Sequence, residues 1–287
     1  MTRPIAVILI THTPERLRRT VLGVAWSSLP AREVVLACDS DDPAILDAAR
    51  DAAREAGSAI TVVQRPSAGR GRAAQTRNNA VRALLDRGAP PETGLVFFDG
   101  DCVPLHRTVE GHASALARAD LVLGFRYDLS AEQDAAFDER ALRDGEMPFA
   151  PTPAQTRALD ARHRRYRRQL FLRRFGLTKP HKPKLLSANF SCTLAAYRAV
   201  NGFDEEFEGW GQEDDDFGRR LMQWGGRVHV GIRGLLACHQ FHQTRAPGDW
   251  HQSDNARMLR ARRPVACRRG LVNHADQPTP VVTRITG

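Results

Sequence analysis

Residues 5–28 read IAVILITHTPERLRRTVLGVAWSS. The first six are apolar without alternation, which describes a short strand buried on both faces, as in a parallel sheet. A helical pattern follows over residues 14–28, and Pro14 fits a helix start, where a missing N–H costs little. The unit repeats. Residues 33–38, 60–63 and 95–98 read as strands, and 43–56 and 70–87 as the helices between them, with Pro43 again at a helix start. Strand–helix alternation predicts a parallel sheet with helices on both faces. Ligands of such sheets bind outside the carboxyl ends of the strands. Those ends carry Thr11 and His12, then Asp39, Asp41 and Asp42, then Arg65, then Asp99 and Asp101. Two of the four ends are acidic in a chain of net charge +9, which points to a metal or a polyhydroxyl ligand.

The chain has 287 residues, enough for one large α/β domain. No stretch approaches the roughly 18 to 20 apolar residues of a membrane span. The opening apolar run is shorter than the ~7–15 residues of a signal core, so a cytoplasmic protein is expected. Cys38, Cys102, Cys192, Cys238 and Cys267 are scattered without a C-x-x-C pair and read as buried thiols. The positive charge favours anionic partners, but no nucleic-acid-binding signature accompanies it.

The alternation breaks over residues 129–184, a proline- and arginine-rich insertion expected to be part helix and part loop. Its segment 157–184, RALDARHRRYRRQLFLRRFGLTKPHKPK, is densely basic. Leu159, Tyr166 and Leu170 fall near one helical face that Phe171, Leu172 and Phe175 are expected to extend. The pattern suits a helix lying on an anionic membrane, a solvated lid, or a site for an anionic acceptor. Regular structure resumes at residue 185, and a weak helix over 249–262 precedes an extended tail.

Chemistry concentrates in three places. LVFFDGDCVP, 95–104, sets Asp99 and Asp101 past a buried strand with glycine between them. Two carboxylates so spaced suit Mg²⁺ or Mn²⁺ held jointly with phosphates. GWGQEDDDF, 209–217, opens a helix that Gly225 ends. Acids in its first turn complement the helix dipole. Asp215 with Arg219 and Asp216 with Arg220 are spaced as i,i+4 pairs. Phe217, Leu221 and Trp224 form the apolar stripe. Glu213 and Asp214 are left without such a partner, beside glycines that let a substrate approach. Finally, LLACHQFHQ, 235–243, ends an apolar run with His239 and His242, either of which is a candidate metal ligand.

Taken in order, Thr11, Asp39, TRNNA, FFDGD, SANFSCTLAAYRAVNGFDEEFEGWGQEDDDF and CHQFH resemble an inverting glycosyltransferase of family 2 with the GT-A fold, over about residues 4–128 and 185–245. The second half is also similar to β-1,4-galactosyltransferases and chondroitin-type polymerases, whose hallmark is G-W-G-x-E-D. The resemblance implies that Thr11 and Asp39 line a uridine pocket, that Arg77 and Asp99 lie near the nucleotide, and that Asn189 lies near the donor sugar. It implies Asp101 with His239 or His242 as ligands of Mn²⁺ or Mg²⁺. Asp214 becomes the general base. Glu213, Trp210 and Gly211 become acceptor contacts, with Trp210 offering its flat face to a sugar ring.

The expected organisation is a GT-A domain over residues 1–245, with a nucleotide-sugar half (1–128), the basic insertion (129–184) and an acceptor half (185–245), followed by 246–287. The expected activity moves a Gal, GalNAc, GlcNAc or Glc unit from a UDP-sugar to a hydroxyl of a glycan or lipid-linked acceptor. A catalytically inactive glycan-binding scaffold of the same fold is the competing reading. A nucleotidyltransferase would need a glycine-rich phosphate loop after the first strand, and THTPERLRRT has none.

Overall fold

The computed structural model describes residues 3–243, 252–261, 263–273 and 278–287. Its first half alternates β1 (Ile5–Thr11), α1 (Leu17–Ala25), β2 (Glu33–Cys38), α2 (Pro43–Ala56), β3 (Ile60–Gln64), α3 (Ala73–Asp86) and β4 (Gly94–Asp99). Next come β5 (Cys102–Pro104), α4 (Thr108–Leu116), β6 (Leu121–Leu123) and β7 (Phe125–Asp128). The insertion contributes α5 (Ala131–Ala135), α6 (Glu139–Asp144) and α7 (Pro153–Arg173). Then follow β8 (Asn189–Thr193), α8 (Leu194–Ala199), α9 (Glu213–Trp224), β9 (Val228–Val230), β10 (Leu236–His239), α10 (Asp254–Arg260) and β11 (Val281–Ile285).

Among the described residues, eight strands form the main sheet in the order β11-β3-β2-β1-β4-β8-β6-β9, and β5-β10-β7 form a second, smaller one. β3, β2, β1 and β4 run parallel, as the alternation requires. β1 shows why its apolar run is continuous. Ile5, Val7 and Leu9 pack into one core beneath α1 and α2, while Ala6 and Ile8 pack into another beneath α3 and α9. Both faces are covered, so no polar alternation survives.

Pro43 starts α2 as expected, with Asp42 capping Ala44 N–H and Gly57 closing the helix at positive φ. Pro14 does not start α1. Arg16 adopts a left-handed conformation (φ 68°), which puts a turn between Pro14 and Leu17. Of the weak helix at 249–262, Asp254–Arg260 is helical, and 249–251 and 262 lie outside the described residues. The tail is more than extended chain, because β11 pairs antiparallel with β3 and joins the main sheet.

The insertion departs from expectation at one end. Leu159 and Tyr166 are buried and Leu170 packs against the core, but Phe171 and Phe175 are exposed. At about 100° per residue, Phe171 falls roughly 120° around the helix from Leu159, and Phe175 lies in the turn past the helix end, so neither extends its buried face.

Asn189 corrects another expectation. It is fully buried at the start of β8, and its amide nitrogen donates to the Phe125 and Leu235 carbonyls at 2.6 and 3.1 Å. Its Oδ1 accepts from His112 Nε2 at 2.8 Å, and His112 Nδ1 accepts from Ser191 Oγ at 2.8 Å. Burial pushes the His112 pKa down to about 4, so the ring stays neutral. Asn189 therefore staples the small sheet to the large one instead of facing a donor sugar. Replacing it with Leu removes the amide hydrogen bonds to both carbonyls, of which the Leu235 one keeps the Phe125 N–H, and strands the buried ring N–H, at about 1–3 kcal/mol for each bond lost. Asn189→Leu is expected to lower unfolding free energy by about 3 kcal/mol or more, read from the urea midpoint. An unchanged midpoint would refute the staple.

Candidate active site

The carboxyl end of β4 builds one half of the site. Gly100 N–H donates to the Ile10 carbonyl at 2.7 Å, and a Cβ at Gly100 would stand 2.9 Å from Thr11 Cβ. Only glycine lets the chain cross there, and the crossing sets Asp99 and Asp101 on either side. The small sheet supplies the other half. In its register His239 of β10 lies opposite Cys102 of β5 and Asp128 of β7. His242 Nε2 stands 3.0 Å from Asp101 Oδ2, His239 Nε2 stands 3.4 Å from the same oxygen, and the two ring nitrogens are 3.1 Å apart.

Three lone-pair donors at such spacing fit the face of a coordination shell with bonds of about 2.1 Å, whose edges are about 3 Å. Both histidines, not one, reach Asp101. Asp128 Oδ1 lies 3.0 Å from His239 Nδ1, which leaves Nε2 for a metal, in the usual carboxylate–histidine arrangement. Burial alone would raise the Asp101 pKa, but the hydrogen bond and charge of His239 hold it below the ordinary carboxylate range. Burial lowers the His239 pKa, yet Asp101 and Asp128 outweigh it and lift it to about 9. Asp128 carried no signal of its own in the sequence. Its position opposite His239 follows only from the pairing of β7 with β10.

Arg77 joins this half to the acidic turn. It is buried in α3, with Nη2 donating to Asp99 Oδ1 at 3.2 Å and Nη1 to Glu213 Oε1 at 3.3 Å. Its guanidinium also lies 5.1 Å from the Phe203 ring centroid. The sequence reading left Glu213 without a partner; the fold gives it Arg77. Burial raises the pKa of both Asp99 and Glu213, and Arg77 opposes the shift.

α9 begins where expected, but two of its contacts differ. Asp216 takes both arginines, Arg219 at 2.7 Å and Arg220 at 2.6 Å. Asp215 pairs instead with Lys184, at 2.7 Å, because the insertion's last residues pass beside it. Phe217 and Leu221 are buried, but Trp224 is 44% exposed at the helix end. Beneath the helix Phe203 stacks on Phe217 with centroids 4.2 Å apart, and Phe97 stacks on Phe190 at 4.5 Å. This aromatic floor holds the first turn against the sheet. Asp214, half-buried in that turn, accepts the Asp215 N–H at 2.7 Å. Burial first, then the neighbouring Glu213 and Asp215 charges, raise its pKa to about 8.

The loop before α9 holds Gly209, Gly211 and Gln212 at φ 77°, 86° and 78°. Those turns project Trp210, which is 53% exposed. Gly209 N–H is tied to the Gly71 carbonyl at 2.7 Å, and Asn255 Nδ2 donates to the Glu208 and Gly211 carbonyls at 2.9 Å each. Asn255 lies beyond the recognisable motifs, so sequence reasoning missed this clamp. Past the end of β2, the carboxylate of Asp39 meets Arg65 and the Arg72 N–H. Thr11 Oγ1 donates to the Thr13 carbonyl at 2.7 Å, closing a local turn. Arg65 was a strand-end residue in the sequence. Its meeting with Asp39 follows from the register of Cys38 with Gln64.

A sequence family described as the N-terminal domain of galactosyltransferase matches residues 169–234, the stretch that carries Asp214 and the GWG loop. No curated protein matches the chain. Among solved structures, S. aureus TarS 1–349 in complex with UDP superposes with a TM-score of 0.55 at 16% identity, covering 89% of this chain and 64% of that one. The fold is GT-A. The complex of TarS 1–349 with UDP-GlcNAc gives a TM-score of 0.54 at 15% identity, covering 89% and 65%. TarS 1–349 alone gives 0.53 at 14% identity, covering 83% of this chain, which spans 60% of that structure.

Proposed function

We propose that the chain is a metal-dependent inverting glycosyltransferase that moves a hexose from a UDP-sugar to a hydroxyl of a glycan or lipid-linked acceptor. The observation that carries this reading is the Asp99–Arg77–Glu213 bridge. It links a convergent Asp101–His239–His242 triangle to the turn that bears Asp214. The galactosyltransferase match and the UDP and UDP-GlcNAc held by TarS support the donor class.

Asp101, His239 and His242 would hold the cation, and two imidazoles favour Mn²⁺ over the oxygen-preferring Mg²⁺. When bound, the metal neutralises charge on the leaving diphosphate. Asp214 removes the proton of the acceptor hydroxyl. That oxygen forms the new bond to the anomeric carbon as the bond to UDP breaks, and the electron pair leaves with the diphosphate. Attack comes from the face opposite UDP, so the configuration inverts. Glu213 accepts an acceptor hydroxyl, Trp210 offers the sugar its flat face, and Gly211 leaves room for its approach. Asp39 with Arg65, and the end of β1 at Thr11, border the uridine.

The test is UDP release from UDP-Gal, UDP-GalNAc, UDP-GlcNAc and UDP-Glc with Mn²⁺. At least one donor is expected to be hydrolysed well above the buffer rate. Absence of release from all four, with glycan binding intact, would favour an inactive scaffold instead.

A further inference from the structure

The turn ending α7 exposes a compact apolar group. Phe171, Phe175 and Leu177 are 56%, 62% and 68% exposed, and the two rings meet edge to face with centroids 5.4 Å apart. Gly176, at φ 70°, folds the chain so that Leu177 follows beside them. Around this tip Arg164, Arg165, Arg167, Arg168, Arg174 and Lys179 are exposed. None of the six forms an ion pair with a described residue. Other surface arginines are matched, as Arg18 is with Glu55 and Glu139, and Arg107 with Glu110, and those that are not, such as Arg32, Arg118 and Arg198, are scattered along the chain and do not crowd one helix end. Arg164 and Arg168 repel at i,i+4, and Arg165 and Arg168 at i,i+3, which weakens the helix. Among the described residues no acid neutralises this cluster, which leaves its charge for an anionic partner.

A polyanion alone would satisfy the arginines but leave the phenylalanines and leucine in water. An anionic bilayer satisfies both, with headgroup charge for the cations and an acyl boundary for the rings. No described helix is long and apolar enough to cross a membrane, so the contact lies on the surface. We propose that this face of α7 and its closing turn dock on an anionic lipid bilayer, with Phe171, Phe175 and Leu177 seated at the headgroup–acyl boundary. The proposal does not depend on the assigned chemistry and is tested without it.

Co-sedimentation compares vesicles of phosphatidylcholine alone with vesicles containing phosphatidylserine, at low and high salt. Binding to the anionic vesicles at low salt and release at high salt are expected. Each cation near an anionic surface is worth about fivefold in partitioning. Replacing Arg164, Arg165, Arg167 and Arg168 together by Gln is therefore expected to reduce binding by roughly 10²-fold or more. Phe171→Ser with Phe175→Ser should remove the binding that persists at intermediate salt. All six changed residues are on the surface, and the arginine changes relieve repulsion, so thermal melting of neither variant should fall below that of the parent. Failure of the parent protein to bind anionic vesicles at low salt overturns the proposal. So does unchanged vesicle binding in the arginine variant, and if that variant also shows a raised KM for a soluble anionic glycan, the face belongs to the acceptor.

Discussion

Asp214→Asn is expected to lower turnover by roughly 10²-fold or more, the scale of general-base catalysis, with UDP affinity little changed. The variant keeps the shape of the turn and the acceptor for the Asp215 N–H, and loses only the ability to take a proton. The raised pKa adds a second signature. Asp214 works as a base only when ionised, so kcat/KM of the parent should rise with pH through about 8. Stability runs the other way. The folded state holds the Asp214 proton more tightly than the unfolded chain does, so this residue's contribution falls as pH rises from the ordinary carboxylate range through about 8. Asp214→Asn should thus be no less stable than the parent at pH 8, which separates lost chemistry from lost folding. Near-normal turnover in the variant, measured with saturating donor and acceptor, would remove Asp214 from the mechanism.

Removing the cation should be as severe. Activity is expected to vanish in chelator and return with Mn²⁺, and Asp101→Ala should lose roughly 10³-fold, the several kcal/mol that a bound cation supplies. Asp128 offers a graded version. It holds His239 without being one of the three converging donors, so Asp128→Asn should weaken Mn²⁺ affinity by about 10–100-fold and recover activity at raised Mn²⁺. Full activity of the parent in chelator would sink the metal assignment.

What could be read from the chain divides along physical lines. The β1–β4 half was legible because burial on both faces leaves an unbroken apolar run, and because strand ends in such sheets converge on ligands. The acidic turn of α9 and its glycine stop were legible because helix termini obey local rules. Partners set by tertiary register were not. Asp128 meets His239, and Arg65 meets Asp39, through the pairing of strands distant in sequence. Asp216 collected two arginines because both i+3 and i+4 are within reach of one carboxylate, and spacing alone does not choose between them. Asn189 misled because a polar residue in a motif does not disclose whether its amide faces a pocket or two backbone carbonyls.

The place of β11 has a kinetic consequence. β3 lies one strand from the end of the main sheet, and the strand that covers it is made more than two hundred residues later. At a synthesis rate of about 5–20 residues per second, the β3 edge waits for roughly 10–40 s with its backbone donors and acceptors open. ITVVQ is β-branched and uncharged, the kind of edge that recruits other chains. The growing polypeptide is therefore most exposed to mispairing while its last strand is still unmade, and slower translation of the intervening stretch would lengthen that interval.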